Sequence, residues 1–227
     1  MTKLDIQGAC ETQGCRNVEK CPLAEEVELL RERCRKLEEL SYVDALTGLY
    51  NFRYMQRALE MEMERTRRTK LPTGLIMLDL DHFKKVNAVY GHEGGNTVLA
   101  YLGKLLKESV RLIDIPCRYG GEEFALILPN ASLNQSVSIA KRLHELVRRR
   151  PVVFDAQNVS VSASFGVAVF HHTDQDTLNS FISRADQLLY EAKNAGRDRI
   201  CAEQPCPVIM AEEVTADEKS ALFSSED

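Results

Sequence analysis

Four acidic residues have the type and spacing that metal-dependent chemistry requires. Asp79 and Asp81 stand where an apolar run over residues 74–78 ends, and Glu122 and Glu123 follow a double glycine and precede a second apolar run. A carboxylate at the end of a buried strand is costly unless it is paired or binds a cation. If the two runs are neighbouring strands, Asp79 and Glu122 lie together as oxygen ligands for Mg²⁺, which also takes substrate phosphates.

A metal ion in that position would polarise phosphate oxygens and lower the pKa of an attacking hydroxyl group. The glycines Gly120 and Gly121 leave room for a phosphate to approach the backbone. Simpler interpretations stay open at this point. Asp81 also suits the N-cap of the helix that follows it, and two adjacent acids in a turn are commonly solvated charges.

The elements that must position these acids follow from the apolar patterning and the turn residues. Strands are predicted at 74–80, 117–119, 124–128, 159–170 and 199–201, with Gly120-Gly121 as a hairpin turn. Helices are predicted at 51–69, 95–113, 133–150 and 177–194. The order β-α-β-β-α-β predicts an α/β (α+β) fold with a palm-like split βαβ sheet and flanking helices.

Composition narrows the class of protein further. The net charge of −5 gives no signature of polyanion binding, so we expect no long nucleic acid as partner. No run of 18 apolar residues is present, which predicts that no segment spans a membrane. The first residues lack the apolar stretch of a signal peptide, so a cytoplasmic location is expected.

The chain divides into four zones. Residues 1–21 form a polar arm, 22–41 a charged helix, 42–202 the main domain and 203–227 an acidic tail predicted to be disordered. Apolar residues in the helix alternate spacings of four and three, which is a heptad pattern typical of a short coiled coil. They are Leu23, Val27, Leu30, Cys34 and Leu37. The alternative is a surface helix packed on its own domain.

Three cysteines of the polar arm, Cys10, Cys15 and Cys21, raise a separate question. In a cytoplasmic protein, cysteines are more often thiols or metal ligands than disulfides. Their spacing matches no zinc or iron–sulfur motif that we can name. A zinc or iron site with a sensing role and a set of incidental thiols therefore both remain open.

Five blocks of the sequence occur in the order found in one known family. They are Asp44–Asn51 (DALTGLYN), Asp79–Lys84 (DLDHFK), Asn87 with Gly91-His92, Arg118–Phe124 (RYGGEEF) and Tyr190–Arg197 (YEAKNAGR). On these blocks, residues 42–202 resemble the GGDEF domain of diguanylate cyclases, in its common GGEEF form. The resemblance implies an enzyme that joins two GTP molecules into cyclic di-GMP and releases pyrophosphate.

The resemblance also implies a role for each matching residue. Asp79, Glu122 and the Leu80 carbonyl bind Mg²⁺ or Mn²⁺, and Glu122 or Glu123 assists proton removal. Residues that contact the nucleotide are Lys84, Asn87, His92, Asn96, Lys193 and Arg197. Three of these are cations suited to phosphate oxygens. His92 also fits a turn histidine without a ligand.

Each domain of the family is similar to half an enzyme, because two domains face each other and each 3′-hydroxyl attacks the other's α-phosphate. This implies a homodimer and gives the 22–41 helix a purpose in dimerisation. Arg111 and Asp114 match the family's RxxD inhibitory site, with Arg142 as an assisting residue, so cyclic di-GMP is expected as both product and inhibitor. A surface Arg–Asp pair is the plainer interpretation.

One departure from the family pattern affects base recognition. The usual Gly-His-x-x-Gly-Asp reads Gly91-His92-Glu93-Gly94-Gly95-Asn96 here. The missing aspartate normally reads guanine, so a hybrid cyclase that makes cyclic GMP-AMP from GTP and ATP is the first alternative function. A second is a non-catalytic module that binds cyclic dinucleotide through Arg111 and Asp114. Polymerase-like activity would rest on fold analogy alone.

Overall fold

In the computed structural model, the structure describes residues 26–33 and 42–203. Residues 26–33 are helical, within the predicted 22–41 helix. The polar arm, the remainder of the 22–41 helix and the acidic tail beyond residue 203 lie outside the described residues. In the described parts of the chain, no helix is both long and apolar enough to cross a membrane.

The main domain contains four helices and seven strands in the described range. The helices are α1 (Phe52–Thr69), α2 (Phe83–Ser109), α3 (Leu133–Arg149) and α4 (Leu178–Asn194). The strands are β1 (Thr73–Leu80), β2 (Ile115–Gly120), β3 (Glu123–Leu128), β4 (Val152–Phe154), β5 (Gln157–Val159), β6 (Ala163–Phe170) and β7 (Ile200–Ala202).

Five of these strands form one sheet in the order β2-β3-β1-β6-β7. Strand β1 is central and runs antiparallel to both β3 and β6, whereas β7 runs parallel to β6. The predicted palm-like split βαβ sheet with flanking helices is confirmed. Because β1 is covered on both faces, all of its residues are buried, which explains why it reads as a continuous apolar run.

Alternation along β1 determines which helix each side chain meets. Ile76 and Leu78 belong to the core beneath α2 and α3, whereas Leu75 and Met77 belong to the core beneath α1 and α4. Since side chains alternate along a strand, Asp79 shares the face of Leu75 and Met77. Asp79, the first of the predicted metal ligands, therefore points toward α4.

The structure corrects the boundaries of the second predicted helix. Helix α2 begins at Phe83 and ends at Ser109, instead of spanning 95–113. Its backbone is broken at Gly91, where φ is 70° and ψ is 176°. Before the break, Phe83, Val86 and Tyr90 form an apolar face that packs on the core, but Gly91 interrupts it, so this face is too short to indicate a helix by itself.

The strand predicted at 159–170 is also wrong in its extent. The structure ends β5 at Val159 and begins β6 at Ala163. Strands β4 and β5 form an additional two-stranded hairpin that the sequence did not indicate. Its turn residues, Asp155 and Ala156, have φ of 46° and 60°, as a two-residue hairpin turn with two left-handed residues requires.

Helix α4 lies directly against the sheet because Gly166 has no side chain. A Cβ atom at Gly166 would stand 2.2 Å from the Ala185 carbonyl oxygen and 2.3 Å from the Leu189 nitrogen. At its N-terminus, the Thr177 hydroxyl accepts a hydrogen bond from the Ser180 amide and caps the helix. The helix is thus held along its length, which determines where its C-terminal residues lie.

Candidate active site

The end of β1 and the hairpin between β2 and β3 bring the predicted acids together. Asp79 is the Cα partner of Glu123 across the sheet, and the Leu80 amide donates a hydrogen bond to the Glu122 carbonyl at 3.3 Å. Gly121 adopts φ of 49°, a left-handed conformation that glycine tolerates readily. Three carboxylates and the Leu80 backbone therefore share one end of the sheet.

Lys193 reaches this acidic end from the last turn of α4. Its Nζ lies 2.9 Å from Asp79 Oδ2, and the two side chains are 26% and 12% exposed. The contact follows from the alternation along β1, which turns Asp79 toward α4. The structure thus joins a predicted phosphate ligand to a predicted metal ligand.

The carboxylates at this edge are difficult to ionise together. Burial raises the pKa of Asp79 above its ordinary value, and the charges of Glu122 and Asp81 raise it further, although Lys193 opposes them. Burial also raises the pKa of Glu123, with Asp79, Asp186 and Glu122 adding to the effect and Lys193 reducing it. A site whose acids are short of positive charge favours a bound cation.

The donor set fits a hard divalent cation that is completed by its substrate. Asp79 and Glu122 supply carboxylates, and Leu80 supplies a carbonyl oxygen, which are the ligand types that Mg²⁺ and Mn²⁺ prefer. Among residues 26–33 and 42–203, no cluster of three or more His, Cys, Asp or Glu side chains is arranged to hold a metal. Mg²⁺ is commonly held by one or two carboxylates, with phosphates and water completing the shell.

The predicted nucleotide-contacting residues of α2 lie around its break. Lys84 is exposed in the first turn, and His92 and Asn96 are exposed next to Gly91. Asn87 lies over Gly95, where an added Cβ would stand only 1.9 Å from the Asn87 Oδ1 atom. Gly95 therefore makes the space that the Asn87 amide occupies.

Arg197 lies on a short loop after α4. Its side chain is exposed, and its amide donates a hydrogen bond to the Ala192 carbonyl at 3.0 Å. The loop is tied to Asp81, whose Oδ2 accepts a hydrogen bond from the Asp198 amide at 3.0 Å. The N-cap interpretation of Asp81 is wrong, because His82 occupies the N-cap position of α2 in a left-handed conformation.

A second link joins the hairpin to the start of the domain. The Arg118 guanidinium donates to both Asp44 carboxylate oxygens at 3.1 Å, and to the Gly121 carbonyl at 2.8 and 3.1 Å. The Asp44 carboxylate also accepts from the Thr47 amide and hydroxyl. Burial opposes ionisation of Asp44, but these hydrogen bonds and the Arg118 charge together hold its pKa below the ordinary value.

The predicted inhibitory residues lie on the turn between α2 and β2 and on α3. Asp114 is buried, and its Oδ2 accepts a hydrogen bond from the Arg111 amide at 2.9 Å, so it holds the turn in shape. Arg142 donates to the Ser109 carbonyl at 2.6 Å. Arg111 and Arg142 both line a cavity of about 300 Å³. The structure brings these three residues together on a surface separate from the acidic edge.

The cysteines give no further evidence for a metal. Cys10, Cys15 and Cys21 lie outside the described residues, so the structure does not test the zinc or iron prediction. Cys117 is fully buried, and burial raises the pKa of its thiol to about 12. Cys117 is therefore a packing residue of β2.

Sequence reasoning did not find the observed roles of three residues that the structure places around the site. Asp81 accepts hydrogen bonds from three donors, Arg118 ties Asp44 to the hairpin, and Asp186 on α4 is close enough to raise the pKa of Glu123. The Asp-x-Asp spacing was a signal for Asp81. The seven-residue separation of Asp186 from Lys193 on one helix was a signal for Asp186.

The sheet and its acidic edge define a palm-like α/β domain with three carboxylates and a lysine at one end of a central strand. The chain belongs to the GGDEF family. The model of that family, described as diguanylate cyclase, GGDEF domain, matches residues 41–199.

Individual relatives agree with this assignment. Diguanylate cyclase VdcA of Vibrio cholerae is 42% identical over 182 residues, which is 77% of this chain and 51% of that protein. The structure of diguanylate cyclase SiaD of Pseudomonas aeruginosa, in complex with its activator SiaC, superposes with a TM-score of 0.69 and 33% identity, covering 88% of this chain and 76% of that chain. The GGDEF domain of DgcB from Caulobacter crescentus, solved with c-di-GMP, superposes with a TM-score of 0.67 and 28% sequence identity. The match covers 71% of this chain and 92% of that chain.

The chain is shorter than the curated relatives it matches. It spans 36% of the response regulator PleD, 45% of YhcK and 51% of VdcA.

Proposed function

We propose that this protein is a diguanylate cyclase that condenses two GTP molecules into cyclic di-GMP. The observation that carries the proposal is the intact acidic edge, Asp79 with Glu122 and Glu123, joined to Lys193 in a chain of the GGDEF family. In this reaction each 3′-hydroxyl attacks the α-phosphate of the other GTP. Two P–O bonds form, two P–O bonds break, and two pyrophosphates leave.

Asp79, Glu122 and the Leu80 carbonyl are the residues that would hold Mg²⁺ or Mn²⁺. When bound, the metal polarises the phosphate oxygens and offsets the charge that develops on them. Lys193, Lys84 and Arg197 contribute fixed positive charge for the triphosphate. Glu123 and Glu122 are the candidates for accepting the 3′-hydroxyl proton, and burial, which raises the pKa of Glu123, makes it a stronger proton acceptor than an ordinary glutamate.

The proposed metal and phosphate ligands of one chain are enough to bind one triphosphate. The second 3′-hydroxyl must come from another copy of the domain, so we infer a homodimer in which two acidic edges face each other. Catalysis in such an arrangement depends mainly on positioning and charge stabilisation. We propose residues 42–202 as the catalytic domain and the 22–41 helix as the segment that brings two copies together.

A second function is favoured by one specific residue. Asn96 is exposed and follows Gly95, over which Asn87 lies, and it stands where the family has a guanine-reading aspartate. An asparagine can donate to and accept from adenine at once. Synthesis of cyclic GMP-AMP from GTP and ATP is therefore the alternative. A non-catalytic receptor is less well supported, because Asp79, Glu122, Glu123 and Lys193 are all retained.

The test is incubation of the protein with GTP and Mg²⁺, followed by identification of the products. We expect cyclic di-GMP by mass spectrometry and pyrophosphate, two molecules for each cyclic product. Omission of the divalent cation should abolish both. Formation of no cyclic dinucleotide from GTP, with or without ATP, would contradict the proposal.

A further inference from the structure

Asp81 is a buried acid to which the proposed reaction assigns no role. Its relative exposure is 6%, although it lies two residues after Asp79. Its Oδ1 accepts a hydrogen bond from the Ser164 hydroxyl at 2.7 Å, and its Oδ2 accepts from the Ser162 hydroxyl at 2.8 Å and the Asp198 amide at 3.0 Å. Three donors aimed at one carboxylate satisfy a buried charge. Two of them hold the start of β6, and the third holds the loop after α4.

The loop after α4 has an unfavourable backbone conformation that other contacts must stabilise. Arg197 and Asp198 have φ of 62° and 48°, and two consecutive left-handed residues other than glycine are disfavoured by steric contacts of the side chain. The Asp198 amide is fixed by Asp81 from inside the domain. On the outer side, the Asp198 carboxylate is bound by His144 Nε2 at 2.8 Å and lies 3.7 Å from Arg148 Nε.

The loop determines where the Arg197 guanidinium lies. Its backbone is fixed on both sides, by the Ala192 carbonyl before it and by Asp81 after it. Among the described residues, no hydrogen bond or ion pair engages the Arg197 guanidinium, so it is free to bind a phosphate. Asp81 also donates its own amide to the Ser162 carbonyl at 2.9 Å. One carboxylate therefore holds the Asp79–Leu80 strand end and the Arg197 loop in a fixed relation.

We propose that Asp81 is a positioning residue for triphosphate recognition, which acts by holding the Arg197–Asp198 loop so that Arg197 meets the β- and γ-phosphates. This inference rests on the proposed function, because it takes Arg197 as a phosphate ligand. A purely structural Asp81 would stabilise the fold without distinguishing one ligand from another. The positioning role requires an effect confined to ligands that carry the outer phosphates.

The experiment compares two ligands in the full chain with Mg²⁺. One is the α,β-methylene analogue of GTP, which cannot release pyrophosphate, and the other is GMP, which lacks the outer phosphates. We expect Asp81→Ala to weaken binding of the analogue by about tenfold, the scale of one charge-assisted contact, and to leave GMP binding within about twofold. Asp81→Asn keeps an oxygen acceptor for the Asp198 amide and should restore most of the affinity.

Ser164→Ala is the matched control, because it removes a buried hydrogen bond to Asp81 but leaves the Asp198 contact in place. It should lower the thermal midpoint without changing the ratio of the two affinities. Asp198→Ala loosens the same loop from its outer side, because it removes the contacts with His144 and Arg148 but keeps the amide that Asp81 binds. It should weaken binding of the analogue selectively, as Asp81→Ala does.

The decisive arm combines Asp81→Ala with Arg197→Ala. If Asp81 acts through Arg197, the double variant binds the analogue no more weakly than Arg197→Ala alone. Equal losses for the analogue and GMP, or a loss from Asp81→Ala that persists without Arg197, would overturn the positioning role. If Arg197→Ala itself leaves the analogue affinity unchanged, the triphosphate role of Arg197 fails, which is a separate result about the proposed function.

Discussion

Lys193 and Asp79 form an ion pair at 2.9 Å at the half-buried end of the central strand. In the free protein the two charges offset each other. In the function proposed above, the lysine binds phosphate and the aspartate binds the metal. A metal–triphosphate complex would then supply both residues with new partners, so the exchange would leave neither charge uncompensated.

The first prediction concerns Asp79 in the metal-free protein. Its pKa is raised by burial, so its contribution to stability is present below the ordinary value of 3.8 and is lost as pH rises through the folded-state pKa. At pH 8, Asp79→Asn should therefore be more stable than wild type, by up to about 1 kcal/mol, the size of a typical single substitution. Urea unfolding in a chelating buffer from pH 8 to pH 4 measures this difference.

The difference should narrow as pH falls, because wild-type Asp79 then takes up its proton. Glu108→Gln is the control, since Glu108 is an exposed acid on α2. A variant less stable than wild type at pH 8, by a margin that does not change with pH, would contradict the expectation.

The second prediction concerns the proposed metal ligand Glu122. Glu122→Gln removes a charge but keeps the size of the side chain, and turnover of GTP should fall by at least about 100-fold, the lower range for loss of one key electrostatic group. Initial rates at saturating Mg²⁺ measure it, with Glu60→Gln on the exposed face of α1 as the control. Rates near that of wild type would rule out Glu122 as a ligand.

The third prediction concerns product feedback at Arg111. Arg111→Ala should leave the initial rate intact but remove the slowing of the reaction as cyclic di-GMP accumulates, because the guanidinium is exposed and lies away from the acidic edge. Full progress curves test this, and Lys104→Ala, which removes an exposed cation of α2, is the control. Progress curves that match wild type, with no cyclic di-GMP bound to wild-type protein, would count against the site.

The fourth prediction concerns the base. Asn96→Asp should raise the preference for GTP over ATP by roughly 5- to 150-fold, which corresponds to about 1–3 kcal/mol for one bidentate base contact. Mass analysis of the products from equimolar GTP and ATP measures the change, with Asn179→Asp on α4 as the control. If wild type makes cyclic di-GMP alone and Asn96→Asp changes nothing, the residue carries no selectivity.

The fifth prediction concerns the segment before the domain. Deletion of residues 1–41 should lower specific activity most at low protein concentration, where two half-sites rarely meet. Activity measured across a dilution series for both chains tests this. Identical specific activity at every dilution would show that the segment does not support dimerisation.

Elements whose residues all lie in the same environment could be predicted from the sequence. Strand β1 is buried on both faces, and its apolar run shows this directly. Helix α2 was not predicted in full, because Gly91 breaks it and leaves Phe83, Val86 and Tyr90 as an apolar face too short to indicate a helix by itself. The β4–β5 hairpin was missed because Asp155 and Ala156 are not the Asn-Gly or Asp-Gly pair that typically indicates such a turn.

In the candidate site, too, some residues could be predicted from the sequence and others could not. Asp79 and Glu122 were found because their motifs are local in the sequence. The link from Asp81 to Asp198 spans 117 residues, and the link from Arg118 to Asp44 spans 74. Neither has a periodicity or a turn residue that could reveal it, since each depends on how the sheet brings distant loops together.

Gly166, which has no side chain, controls how closely Lys193 approaches Asp79 in the proposed active site. The sheet meets α4 at Ala185 and Leu189, and Lys193 follows one turn later, about 6 Å further along the axis at 1.5 Å per residue. Because a helix moves largely as a rigid body, a shift at Ala185 and Leu189 also moves Lys193. A methyl group at Gly166 would push α4 off the sheet and move Lys193 away from Asp79. The position of the lysine therefore depends on a residue that contacts neither the proposed phosphate nor the proposed metal.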